Sequence, residues 1–163
     1  MASFTKSQLT TLFEYTWHTF SHLLELASQL NEADYHEQTG YSQGSIHQLL
    51  FHLMRTMNSW RMGVETGKRV SGFRIEDFPT LDSVQTIFQQ EKSAWQVFLD
   101  KLSEQEIEGD ISLTTRSGEM VNIPRWRILN HLVLHGMQHH AELAHLLTLK
   151  GKSPGDIDFI FYG

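Results

Sequence analysis

Cysteine is missing from all 163 residues. Its absence excludes disulfides, thiolate metal sites and a cysteine nucleophile. Any tight transition-metal site must then be built from imidazole and carboxylate, a donor set suited to Zn, Ni, Fe or Mn. Positive charge is scarce as well: 13 Lys and Arg face 19 Asp and Glu, giving a net charge of −6 and a pI near 5.9. A nucleic-acid surface, which needs a basic patch, is not expected. No apolar run approaches the length of a membrane span. The opening residues Met-Ala-Ser-Phe-Thr-Lys lack the basic and then apolar pattern of a signal peptide. The chain is expected to be soluble and cytoplasmic, with no nucleic-acid or membrane partner. Internal repeats and low-complexity tracts are absent. The length suits one domain, 1–163, large enough to bury a core.

Histidine, by contrast, is plentiful, with ten residues. His131, His135 and His139 recur at every fourth position. On a helix they project along one face, about 6 Å apart from turn to turn. An i, i+4 pair can reach one ion with N–metal bonds of about 2.0–2.1 Å.

The rest of the chain reads as four amphipathic helices. Over 7–30, Leu9, Phe13, Trp17, Phe20, Leu24 and Ala27 keep helical spacing, and Leu23, Leu26 and Leu30 widen the stripe. His18 and His22 lie beside that seam and read as surface or core-edge residues. Segments 31–34 and 40–44 mark a connection. Ser45 with Gln48 fits a capping box, followed by the stripe Ile46, Leu49, Leu53, Met57, Trp60 and Val64. His52 falls at the stripe's margin, and His47 falls away from it and reads as solvated. The 65–79 connection is long for antiparallel neighbours and could return the chain to a parallel helix. Thr80 is an N-cap candidate. Val84, Phe88, Glu91, Trp95, Phe98 and Leu102 then repeat, with Glu91 read as a helix-margin residue. Alternation over 111–123 around Ser117-Gly118 predicts a hairpin. Pro124 suits the first turn of a last helix whose core stripe is Trp126, Leu129, Val133, Met137, Ala144 and Leu147, ended by Gly151. The apolar tail 153–162 is expected to pack outside the bundle.

Four such helices imply an all-α four-helix bundle, whose facing helices can share a metal site. A di-iron centre needs two Glu-x-x-His pairs, and only Glu142-Leu-Ala-His145 occurs. His135-Gly-Met-Gln-His139 has zincin spacing without the zincin Glu. What remains is a mononuclear site with an open position, able to polarise a carbonyl, hold hydroxide or hold a substrate thiolate. The last helix needs a third ligand from elsewhere, which draws attention to His52.

Leu49-Leu-Phe-His52, Trp60, the Gly118 hairpin and the run Arg125-Trp-Arg-Ile-Leu-Asn-His131-Leu-Val-Leu-His135-Gly-Met-Gln-His139-His140 together resemble the DinB/YfiT-like metal-dependent bundle proteins over nearly the whole chain. The resemblance implies an up-down-down-up bundle, commonly a homodimer, with His52, His135 and His139 as ligands. His131 matches a family histidine that is not a usual ligand. Where the family often continues Arg-Gly-Gln after its last histidine, this chain has His140-Ala141-Glu142 after His139. That removes a cation able to anchor an anionic substrate, and places the Glu142 carboxylate where it can support an imidazole. Characterised relatives use low-molecular-weight thiols such as bacillithiol or mycothiol. The leading expectation is therefore a divalent-metal site, Zn or Ni first and Fe or Mn next, activating a small-molecule thiol for S-transfer to an electrophilic substrate. A metal-dependent hydrolase and a non-catalytic metal-stabilised stress or binding protein stand as alternatives. Leu12, Leu23, Phe51 and Leu146, off the main stripes, are the expected dimer surface.

Overall fold

Each long helix except the last begins where the sequence offers a side-chain oxygen to an unpaired backbone N–H. In the computed structural model, which describes residues 5–70, 72–115 and 117–163, the opening four residues read for a signal pattern lie outside the described part. Thr5 accepts from the Gln8 N–H and starts α1 (Lys6–Ala27). Asn31 caps the short α2 (Glu32–His36), which occupies a stretch expected to be plain connection. Ser45 caps α3 (Ile46–Thr66), although Gln48 bonds Gln38 instead of completing the capping box. Thr80 starts α4 (Leu81–Lys101) and Ser103 the short α5 (Glu104–Glu108). The hairpin strands β1 (Asp110–Thr114) and β2 (Met120–Pro124) pair antiparallel with Ile111 opposite Ile123. Pro124 closes β2 rather than lying inside the first helical turn, and α6 (Arg125–Leu149) follows directly.

The direction of each helix follows from its contacts. His47, near the start of α3, has Nε2 2.7 Å from the Phe78 carbonyl oxygen, and Phe51 meets the Phe78 ring. The chain has thus travelled back to the start of α3 before α4 begins, and these two helices run parallel. Lys6 bonds Asp100 and Glu104, so α1 is antiparallel to α4. Thr16 abuts Gly136 and Phe20 meets His140, so α1 and α6 run parallel. The order is up, down, down, up. α1 and α3 each pack against both α4 and α6. Gly136 permits the close α1–α6 approach, since a Cβ there would lie 3.0 Å from Thr16 Cγ2.

The core follows the apolar stripes, with Phe13, Phe20, Leu49, Phe88, Trp95 and Leu129 all buried. The structure departs from the stripe reading in four places. Trp126, placed in the core from sequence, is 41% exposed, because the buried face of α6 begins at Ile128 and Leu129. Leu23, Phe51 and Leu146 are buried inside one chain and Leu12 packs partly against the same core. Leu23, Phe51 and Leu146 therefore offer no surface to a second copy, while Leu12 stays partly exposed. His47 is buried rather than solvated, covered by Tyr35, His36 and the Phe78 carbonyl. Glu91 is not marginal either. At 4% exposure it accepts from Asn58 Nδ2 at 2.8 Å, Arg61 Nε at 2.9 Å and Arg61 Nη2 at 2.8 Å. This paired carboxylate ties α3 to α4. The tail packs where expected: Tyr15 donates to the Ile157 carbonyl and its ring meets Phe159 and Tyr162.

Removing one partner of a buried ion pair strands the other, at about 3–5 kcal/mol. Glu91→Ala should therefore lower unfolding free energy by an amount of that order, measured by urea denaturation, with metal binding unchanged. A loss below ~0.5 kcal/mol would show that the network contributes little.

Candidate metal centre

His52 projects from the second turn of α3, while His135 and His139 lie one turn apart on α6. The packing of α3 on α6 brings the three rings together, with centroid separations of 5.4 Å (His52–His135), 4.7 Å (His52–His139) and 4.5 Å (His135–His139). One nitrogen from each ring lies within 4.8 Å of the others. The His52 and His135 Nε2 atoms are 3.4 Å apart. Two imidazoles bound at about 2.0–2.1 Å to a tetrahedral ion stand about 3.3–3.4 Å apart, so the spacing of this pair matches that of two ligands sharing one cation. His139 directs Nδ1 to Glu142 Oε2 at 2.6 Å, which leaves its Nε2 for the ion. Among the described residues the group contains three donors and no carboxylate. A tetrahedral ion would retain one position for water or substrate.

Electrostatics prepare the same atoms. Burial, then the neighbouring His139, His52 and His131, push His135 down to about 4. It is neutral at pH 7, the state in which imidazole ligates. Burial of Glu142 acts to raise its carboxyl, but hydrogen bonds from Ser42 and His139 outweigh this and hold it low. Glu142 therefore stays an acceptor and fixes the ring of His139. Ser42 has φ +52° and is the non-glycine with positive φ among the described residues. An L-residue pays a conformational cost there, and the conformation sets its hydroxyl on Glu142. The α2–α3 loop is thereby connected to the His139 ligand.

Two neighbouring histidines have other surroundings. His131 is exposed and outside the three-nitrogen group. Its ring lies 5.7 Å from His135 and 5.5 Å from Trp60. Burial of part of the ring and then the charge of Arg69 lower its pKa. His140 is fully buried against Phe20, neither ring nitrogen is hydrogen-bonded, and burial drives it down to about 3. It is a neutral core residue. Sequence reasoning overlooked Ser42 and Arg69. The flanking Gly40 and Gly44 could have flagged the loop; nothing local marks Arg69.

The DinB family model matches residues 1–163. No curated protein matches the sequence. Among solved structures, YfiT from Bacillus subtilis aligns with a TM-score of 0.68 at 15% identity, covering 94% of this chain and 93% of that one. It is described as "a probable metal-dependent hydrolase with an unusual four-helix bundle topology". At that identity the likeness concerns the fold. No described helix here is long and apolar enough to cross a membrane.

Replacing His52, His135 or His139 by Ala should abolish stoichiometric Zn(II) binding in calorimetry, and His47→Ala should preserve it. Glu142→Ala should weaken affinity by about 10–100-fold, and Ser42→Ala in the same direction by less. Full zinc occupancy in a His52→Ala, His135→Ala double variant would sink the assignment.

Proposed function

Since the chain belongs to the DinB family, we propose that it is a metalloenzyme in which His52, His135 and His139 hold a divalent cation, Zn or Ni before Fe or Mn, to activate a low-molecular-weight thiol for S-transfer. The single observation carrying this proposal is the three-nitrogen cluster, with the His52 and His135 Nε2 atoms 3.4 Å apart and no fourth donor in the group among the described residues. When bound, the cation supplies Lewis acidity that lowers the pKa of a thiol in the remaining position. The chain's own residues then have limited tasks. His52 and His135 hold the position from two helices. Glu142 orients His139 and is committed to it and to Ser42. A carboxylate so engaged is poorly placed as a general base. Thiol chemistry needs less from such a base than water attack does, because a thiol ionises far more readily than water. The sulfur forms a bond to the electrophile's carbon, whose leaving group departs with its electron pair, and the thiol proton goes to solvent.

Metal-dependent hydrolysis is the second reading, favoured by the description of YfiT. The two separate in one assay series with zinc- or nickel-loaded protein. S-transfer requires product formation that depends on both thiol and electrophile and disappears in His135→Ala. Thiol-independent cleavage of an ester or amide would move the assignment to hydrolysis. Absence of turnover at full metal occupancy would leave a metal-stabilised binding protein.

We also keep the homodimer as a proposal, on a different surface. Ile160 and Phe161 of the tail are 80% and 74% exposed beside Phe159 at 44%, a contiguous apolar patch of the kind that marks partner surfaces. Light scattering should give about twice the 18.9 kDa chain mass, reverting to one chain on Ile160→Asp. A single-chain mass for the unaltered protein would reject it.

A further inference from the structure

A cavity of about 650 Å³ lies between the outer face of α1 and the C-terminal tail, and none of the three clustered histidines lines it. Its walls are fastened to each other at several points. The Tyr15 hydroxyl donates to the Ile157 carbonyl, and His22 has Nε2 3.0 Å from the Pro154 carbonyl oxygen. The Tyr15 and Tyr162 rings meet edge-on at 5.5 Å, and the His18 ring lies 5.3 Å from Tyr162. The Asp158 N–H donates to Asp156 Oδ1 at 2.9 Å, which directs that carboxylate. The charge of these walls has one sign. Glu14 from α1 and Asp156 and Asp158 from the tail line the cavity, and no lysine or arginine is among the described lining residues. Burial raises the Tyr15 pKa most, a hydrogen bond with Thr19 opposes it, and the charges of Asp158 and Asp156 raise it further. Both tail carboxylates therefore stand close to an aromatic ring of the same wall.

We propose that this cavity is a second ligand site and that its ligand is an aliphatic polyamine, with ammonium groups on Glu14, Asp156 and Asp158 and methylene spacers along the half-buried Tyr162 ring. A volume in the range of about 300–1,000 Å³ is that of a small-molecule site. Carboxylates pair with ammonium groups, while an aromatic face attracts a cation and accepts the apolar spacer beside it. A chain with separated charges can meet carboxylates from α1 and from the tail at once, which a single metal ion cannot do without drawing them together. The site is independent of the metal reading, and its test stands whether or not the histidines hold an ion.

The test is a calorimetric titration of the zinc-loaded protein with spermidine near pH 8, above the ordinary imidazole value of about 6.5. Salt at about 0.15 M screens diffuse attraction. A single spermidine should bind per chain, and putrescine, with one ammonium group fewer, should bind about threefold more weakly. Glu14→Gln and Asp156→Asn should each weaken spermidine about threefold, and the triple variant with Asp158→Asn by about tenfold or more. Asn and Gln keep the acceptor oxygen, so the turn at Asp156 survives. Tyr162→Leu should cost about threefold and Tyr162→Phe nothing, since the ring is what the cation meets. Glu119→Gln, on the hairpin, should have no effect. In NMR, spermidine should shift the Tyr162 ring signals. Unchanged affinity in the triple variant would overturn the site. Binding that disappears in His135→Ala but persists in the triple variant would place the amine on the metal and overturn it as well. Magnesium displacing spermidine equally well at matched ionic strength would reduce the cavity to an acidic surface and overturn the polyamine assignment.

Discussion

The convergence of His52 with the pair on α6 is the constraint on which the functional part of this molecule depends. An i, i+4 pair on one helix is fixed by helix geometry alone. The third nitrogen must arrive within a few ångströms from a different helix. Its position therefore depends on the depth, rotation and register of α3 against α6. The contact is set by apolar packing: Leu49, Leu50 and Leu53 on one side and Leu132, Val133 and Leu143 on the other are all buried. Close-packed interiors transmit small changes in such residues to everything they carry.

The polar devices around this contact divide the work. Glu91, Arg61 and Asn58 tie α3 to α4 on the side away from the cluster. Lys150 ties the end of α6 to Asp34 at 2.6 Å and also to Glu37, fixing α2. α2 and the loop that follows it then present Ser42 to Glu142, and Glu142 orients His139. The loop with the unusual backbone angle is thus anchored at both ends by elements of the bundle. Burial acts in concert with geometry here: it removes protons from His135 and so prepares the donors that the packing has gathered.

Much of this was legible in the chain. Four long amphipathic stripes, the N-caps Ser45 and Thr80 and one alternating hairpin correspond to α1, α3, α4, α6 and the β1–β2 pair. Family resemblance added the choice of His52, and the geometry brings that residue to the α6 pair. Errors arose where burial is decided by a neighbour distant in sequence. His47 faces away from its own helix's stripe yet is covered by Tyr35 and Phe78. Leu23, Phe51 and Leu146 lie off the narrow seams yet are buried, because each helix packs against two others and its apolar face is correspondingly wide. Trp126 erred in the opposite sense, sitting before the point where α6 joins the bundle.

The sequence by itself determined the periodic properties: helix positions, the absence of thiolate ligands, and the imidazole pair whose spacing matches a helical turn. Each depends on residues within a few positions of one another, so local spacing suffices. Tertiary structure alone decided which histidines share an ion-sized space, which carboxylate is buried with partners, and that Arg69 stands over Trp60 near His131. Those are contacts across long separations along the chain, created when four stripes are buried at once, and no local pattern encodes them.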